Sequence, residues 1–211
     1  MRWPNPRTSH VKTMLTILGW TLAAGTAWAA ASVGQTAPAF SAIDAGGKTV
    51  SLADFKGRTV VLEWVNPECP YVRKHYDSAN MQATQKAATA KGVVWLSVNS
   101  THSSHIDFKK PAEMLAWTQQ QGAVPTATLM DGEGKIGRAY AARTTPHLYV
   151  IDARGMLVYA GGIDDKPSAN PADVKTAKNL VNAALADVLS GRAVAQPVTR
   201  AYGCSVKYSD G

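Results

Sequence analysis

The chain has 211 residues, 45% of them hydrophobic, and a formal net charge of +7, which allows one good core and calls for no second. Without residues 1–31, which hold Arg2, Arg7 and Lys12 and no acid, 19 basic residues face 15 acidic ones, a balance of +4. These basic residues are scattered and form no aromatic-interleaved stripe, so no nucleic-acid partner is expected.

Arg2, Arg7 and Lys12 precede an apolar stretch from Met14 to Trp28, which ends in the small-residue sites Ala27-Trp28-Ala29 and Ala29-Ala30-Ala31. This is the pattern of a secretory signal peptide over residues 1–31, cut after Ala29 or Ala31. A stretch of about 15 residues broken by Gly19, Thr21 and Gly25 falls short of the roughly 20 that span a bilayer. Export, to the periplasm and with no membrane contact after cleavage, is therefore expected. Only Cys69 and Cys204 remain in that oxidising setting, where a structural disulfide is an ordinary fate for a pair.

In chain order, Ser41–Asp44 and Thr49–Leu52 flank an Ala45-Gly46-Gly47-Lys48 turn and predict a β-hairpin. Ser51 suits the N-cap of a short helical turn to Phe55. Thr59-Val60-Val61-Leu62 is β-branched and apolar, as in a buried parallel strand. Tyr71 to Ala90, free of Gly and Pro, predicts one long helix. Gly92 to Val98 is a second buried-type strand. Pro111 to Gln121 predicts a helix packing through Ala112, Met114, Leu115 and Trp117, and Ala127 to Met130 a short strand. Gly134 to Tyr140 predicts a helical turn. A strand entered through Pro146 runs to Asp152 and turns at Ala153-Arg154-Gly155 into Met156 to Ala160, an antiparallel hairpin. Asp173 to Leu189, with apolar residues at a 3, 4, 3 spacing, predicts the last helix. Strands alternating with helices indicate an α/β fold with a central sheet. Residues 191–211 form a tail carrying Cys204, too poor in apolar residues for a domain.

The chemistry centres on Cys69, expected at a strand-to-helix turn with Pro70 in the first helical turn. There the unpaired N–H groups and positive dipole end favour thiolate, with Arg73 and Lys74 in support and Glu68 opposed. Glu63, inside an otherwise apolar strand, is either a desolvated carboxylate with a raised pKa or a salt-bridged strand-end residue. His75 and His147 are expected to be solvated. No zinc or nucleotide motif is present, so neither a metal nor a cofactor is expected.

In order, the Val33-Gly34-Gln35-Thr36-Ala37-Pro38 opening, the strand-to-Cys69 turn, Thr145-Pro146 and the Tyr149–Ala160 hairpin resemble the thioredoxin superfamily. More closely they resemble its peroxiredoxin-like branch, the alkyl hydroperoxide reductase/thiol-specific antioxidant proteins. The resemblance covers residues 33–190, and the Gly203–Tyr208 ending is similar to that of a subgroup with a single active-site Cys. It implies a thioredoxin-like fold, a mixed sheet flanked by helices with an N-terminal β-hairpin. It also implies a cis-proline at Pro146 whose neighbour Thr145 pairs with an extended substrate beside Cys69 and Pro70, and a buried acid at Glu63 that moves a proton to or from the sulfur. Two departures stand out. Val72 occupies the second position of the dithiol motif C-x-x-C, and Asn66 and Leu62 replace the hydroxyl and proline of the peroxidatic motif.

The implied activity is an exported thiol oxidoreductase acting through Cys69 on a disulfide, of a protein or a small molecule, or on a peroxide, with an external thiol as reductant. The alternative is a non-catalytic peptide- or partner-binding module with a structural Cys69–Cys204 disulfide. Cys204 is the only other thiol and its tail is long enough to fold back, so it could resolve an oxidised Cys69. A permanent bridge, or a free thiol on a loose terminus, remain open from the sequence alone.

Overall fold

The computed structural model describes residues 30–209 together with Met1 and Trp3. The expected signal peptide falls almost wholly outside the described residues.

The centre of the molecule is strand β3 (Val60–Trp64), every residue of which is buried. Its β-branched run sits between parallel β4 (Val94–Asn99) and antiparallel β7 (His147–Ile151), with Leu62 opposite Leu96 on one side and Tyr149 on the other. Outside these lie β5 (Ala127–Met130), parallel to β4, and β8 (Leu157–Gly161), antiparallel to β7. The five-stranded mixed sheet has the order β5-β4-β3-β7-β8. Strand alternation sends Val61 and Val65 into a core shared with Val72, Tyr76, Met81, Trp95 and Val181. Val60, Leu62 and Trp64 enter a second core with Leu129, Ile136 and Tyr140 on the other face. The expected N-terminal hairpin is present as β1 (Ser41–Ile43) paired with β2 (Thr49–Ser51), followed by a 3-10 turn over Leu52–Phe55.

The predicted long helix is two helices, α1 (Pro70–Asp77) and α2 (Asn80–Thr89). Ala79 between them takes a left-handed φ of 59°, a conformation that costs an L-residue about 1–2 kcal/mol. The hydrogen bonds of the break offset that cost. Ser78 Oγ donates back to Lys74 O at 2.6 Å, Gln82 Nε2 donates to Tyr76 O at 2.8 Å, and Asn80 Nδ2 lies 2.8 Å from His75 Nδ1. None of these partners is visible in helix propensity, which is why the stretch reads as one helix. The predicted last helix is likewise divided, into a 3-10 turn over Pro171–Lys175 and α5 (Leu180–Leu189), with Asn179 capping the latter by accepting from Asn182 N at 2.9 Å.

The helix at residues 111–120, α3 (Pro111–Gln120), buries Met114 alone. Ala112 and Leu115 are exposed and Trp117 is half-buried against the ring of Tyr76, so the expected four-residue packing face reduces to a narrow one. The turn at residues 134–140 is the short helix α4 (Lys135–Ala139). Two further strands lie apart from the main sheet: β6 (Thr144–Thr145), ahead of Pro146, and β9 (Cys204–Ser205), from the tail.

Candidate active site

Cys69 is the N-cap of α1, Pro70 its first residue, and the side chain is buried at 2% exposure. The turn that delivers it is shaped by Asn66. Its Oδ1 accepts from Glu68 N at 2.9 Å, its carbonyl accepts from Cys69 N at 3.1 Å, and its Nδ2 donates to Asp107 Oδ2 at 2.9 Å. The residue that departs from the peroxidatic motif thus holds the cysteine turn and ties it to the 101–110 loop. Glu68 is bracketed by Arg73 at 2.6 Å and Lys109 at 2.8 Å. Arg73 therefore faces Glu68, and Lys74, 1% exposed, faces Asp164 Oδ2 at 3.2 Å. The cations expected to act on the sulfur are turned to other partners.

The Thr145–Pro146 peptide bond is cis. Thr145 O lies 2.9 Å from Cys69 Sγ, and because a carbonyl only accepts, the contact is one that a Cys69 S–H donates. Thr145 also pairs with the tail, in register with Cys204, in the antiparallel β6–β9 ladder. The two sulfurs are 2.8 Å apart and both are free thiols. Burial first, and Cys69 beside it second, push the Cys204 thiol up to about 12, so Cys204 holds its proton. The position that the resemblance assigns to an extended substrate is thus filled by the chain's own tail.

Glu63 is fully buried, as a desolvated carboxylate would be, and among the described residues no cation pairs with it. Its Oε1 accepts from Tyr76 OH at 2.7 Å. Its Oε2 accepts from Trp95 Nε1 at 2.7 Å, Gln85 Nε2 at 3.1 Å and Ser97 Oγ at 3.3 Å. Burial raises its pKa against the opposing pull of these four donors. No hydrogen bond joins Glu63 to Cys69. The closest link is through Tyr76, which shares α1 with the cysteine turn.

His75 is not solvated. It is fully buried, and its neutral form fits its partners: Nδ1 accepts from Asn80 Nδ2, leaving Nε2–H to donate to Tyr202 OH at 3.2 Å. Burial, foremost, lowers its pKa to about 4, and burial does the same to the half-buried His147. Nothing in α1's own sequence marks this burial. The tail covers the face on which His75 lies.

Residues 33–160 match the AhpC/TSA family. The chain belongs to the AhpC/TSA family. Membership assigns it to thiol-based redox chemistry, and the two cysteines of the sequence lie side by side at the head of α1. No curated protein matches the chain. Among solved structures, a hypothetical protein from Sinorhizobium meliloti superposes with a TM-score of 0.72 at 23% identity, covering 87% of this chain and 98% of its own. An uncharacterized conserved protein from Geobacillus kaustophilus gives 0.72 at 25% identity, covering 85% and 94%. A structure named as a thiol:disulfide interchange protein DsbE, from Chlorobium tepidum, gives 0.51 at 24% identity, covering 62% and 85%, a likeness of fold.

Sequence reasoning missed Asp107, Asp164 and Tyr202, read Lys74 as a support of the Cys69 thiolate and not as the partner of Asp164, and gave Gly203 no role of its own. Gly203 carried a readable signal, a glycine directly before Cys204, and in the structure it has a φ of 141° and a Cβ there would overlap the Thr145 carbonyl. Only glycine allows this close approach of tail to cis-proline loop.

Proposed function

We propose that the chain is an exported thiol oxidoreductase in which Cys69 reacts first and Cys204 closes a disulfide with it. The observation that carries this reading is the 2.8 Å separation of two free sulfurs, brought together by pairing of Cys204 with Thr145. The Cys69 sulfur, on losing its proton, attacks one sulfur of a substrate disulfide R–S–S–R′; that bond breaks and R′S⁻ leaves with the proton as a thiol. Cys204 then loses its own proton as it attacks the Cys69 sulfur, expelling RSH and leaving the Cys69–Cys204 disulfide. Two electrons have passed to the substrate, and an external dithiol restores them.

A disulfide is favoured over a peroxide as substrate. A peroxide would need polar groups to hold it, yet Asn66 stands where the family keeps a hydroxyl and Arg73 is engaged by Glu68. Two clefts of about 580 and 590 Å³ are lined by neither cysteine. An extended partner pairing along Thr145 in place of the tail fits a protein disulfide best. Export rests on the charged and apolar pattern of residues 1–31.

The test is to reduce the mature protein, add one equivalent of oxidised glutathione and map the product by non-reducing peptide mass spectrometry. Wild type should carry a Cys69–Cys204 bridge, Cys204→Ser should stop at a mixed disulfide on Cys69, and Cys69→Ser should fall to background. If Cys204→Ser cycles as fast as wild type and no bridge forms, Cys69 is instead a single-cysteine centre resolved by an outside thiol.

A further inference from the structure

Two residues before Cys204, the tail enters a buried polar cluster. Tyr202, 7% exposed, accepts at its hydroxyl from Lys74 Nζ at 3.2 Å and from His75 Nε2 at 3.2 Å, and donates to Asp164 Oδ1. That uses both lone pairs and the proton of the phenol. Lys74 Nζ also donates to Lys166 O at 2.6 Å and lies 3.2 Å from Asp164 Oδ2, so the buried ammonium and carboxylate face each other as well as the phenol. The ring packs edge-on against Tyr71, centroids 5.9 Å apart. Lys74 and His75 belong to α1, the helix that Cys69 caps, so the cluster joins the tail directly to the helix that presents the nucleophile.

A buried ion pair gives little net stability by itself, because desolvation consumes most of the attraction; its best-attested use is to fix one arrangement against others. Here the arrangement fixed is the tail. Tyr202 fills the cluster, Gly203 lets the chain pass against Thr145, and Cys204 follows opposite Cys69. We propose that Tyr202 is a positioning residue, a latch received by the Lys74–Asp164 pair, that sets the effective concentration of the Cys204 thiol at Cys69. This rests on the reading of Cys69 and Cys204 as one redox couple. The same latch holds the tail in the Thr145 edge that an extended substrate would need, so it also sets how readily a partner displaces the tail.

The readout is the equilibrium constant of the Cys69–Cys204 bridge against glutathione, which a uniform loss of stability leaves unchanged as long as oxidised and reduced forms both stay folded. Tyr202→Phe keeps the ring and removes the hydroxyl, and should lower the constant about tenfold, which raises the potential of the couple by about 30 mV. Lys74→Met combined with Asp164→Leu removes the receiving pair together, a replacement that cores tolerate, and should give the same fall; it decides the matter if Tyr202→Phe does not fold. Tyr140→Phe, which loses a part-buried hydroxyl bond to Pro38 O and no hydrogen bond to the tail, should lower the urea midpoint and leave the constant within twofold of wild type. A wild-type bridge with an unchanged constant in the folded Tyr202 or Lys74/Asp164 variant overturns the latch alone. A wild type that forms no bridge overturns the two-cysteine reading and the latch with it.

Discussion

Glu63→Val should destabilise the protein by roughly 3–5 kcal/mol, because it strips the acceptor from four buried donors at once. Trp95 Nε1 can only donate and is left without an acceptor, Gln85 Nε2 keeps only Tyr76 OH at 3.3 Å, and Tyr76 OH and Ser97 Oγ can turn. Glu63→Gln separates the charge from the hydrogen bonding. Its amide oxygen can keep Trp95, Gln85 and Ser97, and its NH₂ can donate to Tyr76 OH, so the network survives without a buried charge. Because the folded-state pKa of Glu63 is raised, the native protein holds this proton more tightly than the unfolded chain does. Stability contributed by the protonated form is present below the unfolded value of about 4.5 and is lost as pH rises toward the folded value. Glu63→Gln should therefore gain on wild type as pH rises through that window, by at most about 1.4 kcal/mol per pH unit. Urea midpoints of wild type and both variants from pH 4 to 8 check this, and a Gln variant that loses stability throughout would show the charge itself to be needed. Thiol–disulfide exchange measured on the same Gln variant tests the proton relay. Slower exchange at Cys69 supports transfer by way of Tyr76, and unchanged exchange assigns Glu63 to the support of α1 and β4.

Acid should destabilise the wild type relative to His75→Gln by about 3 kcal/mol between pH 6.5 and pH 4. His75 is buried neutral and its folded pKa is depressed, so the unfolded chain binds a proton that the native protein does not. Stability is then fully present above the unfolded value of about 6.5 and is lost as pH falls toward the folded one. His147 adds to the loss in the same direction and window. Glu63 acts oppositely, which is why the comparison is with a variant at position 75 and not with pH 7 alone. The difference between the two urea midpoints, followed from pH 7 to pH 4, should open steadily. Parallel curves would mean that His75 is as free to protonate in the native state as in the unfolded chain. Since Nε2 already carries the proton that faces Tyr202, acid adds the second at Nδ1, against the Asn80 Nδ2 donor, so the same window should loosen the junction of α1 and α2.

The sheet was legible in the sequence because its signal is local. The β-branched and apolar run of residues 59–62 and the burial on both faces it implies need no knowledge of partners, and neither does the strand-to-helix turn that leaves Cys69 at a helix start. The count of two cysteines also singled out Cys204 as the other thiol, and resemblance supplied Pro146 with its cis bond. What the sequence could not carry was where long-range hydrogen bonds would go. The break at Ala79 is stabilised by Gln82 and Asn80 reaching groups outside their own helix, and the burial of Lys74 and His75 exists only once Asp164 and Tyr202, distant in the chain, close over them. A lysine, a histidine and a tyrosine read as surface residues until partners of matching hydrogen-bond capacity are in place, since burial without them would cost each its hydration. The sequence by itself determined the sheet, the cysteine turn and the two thiols. The tertiary structure alone decided that a polar tail docks on α1 and sets one sulfur 2.8 Å from the other, because only the folded α1, cis-proline loop and tail together satisfy the buried groups that hold it there.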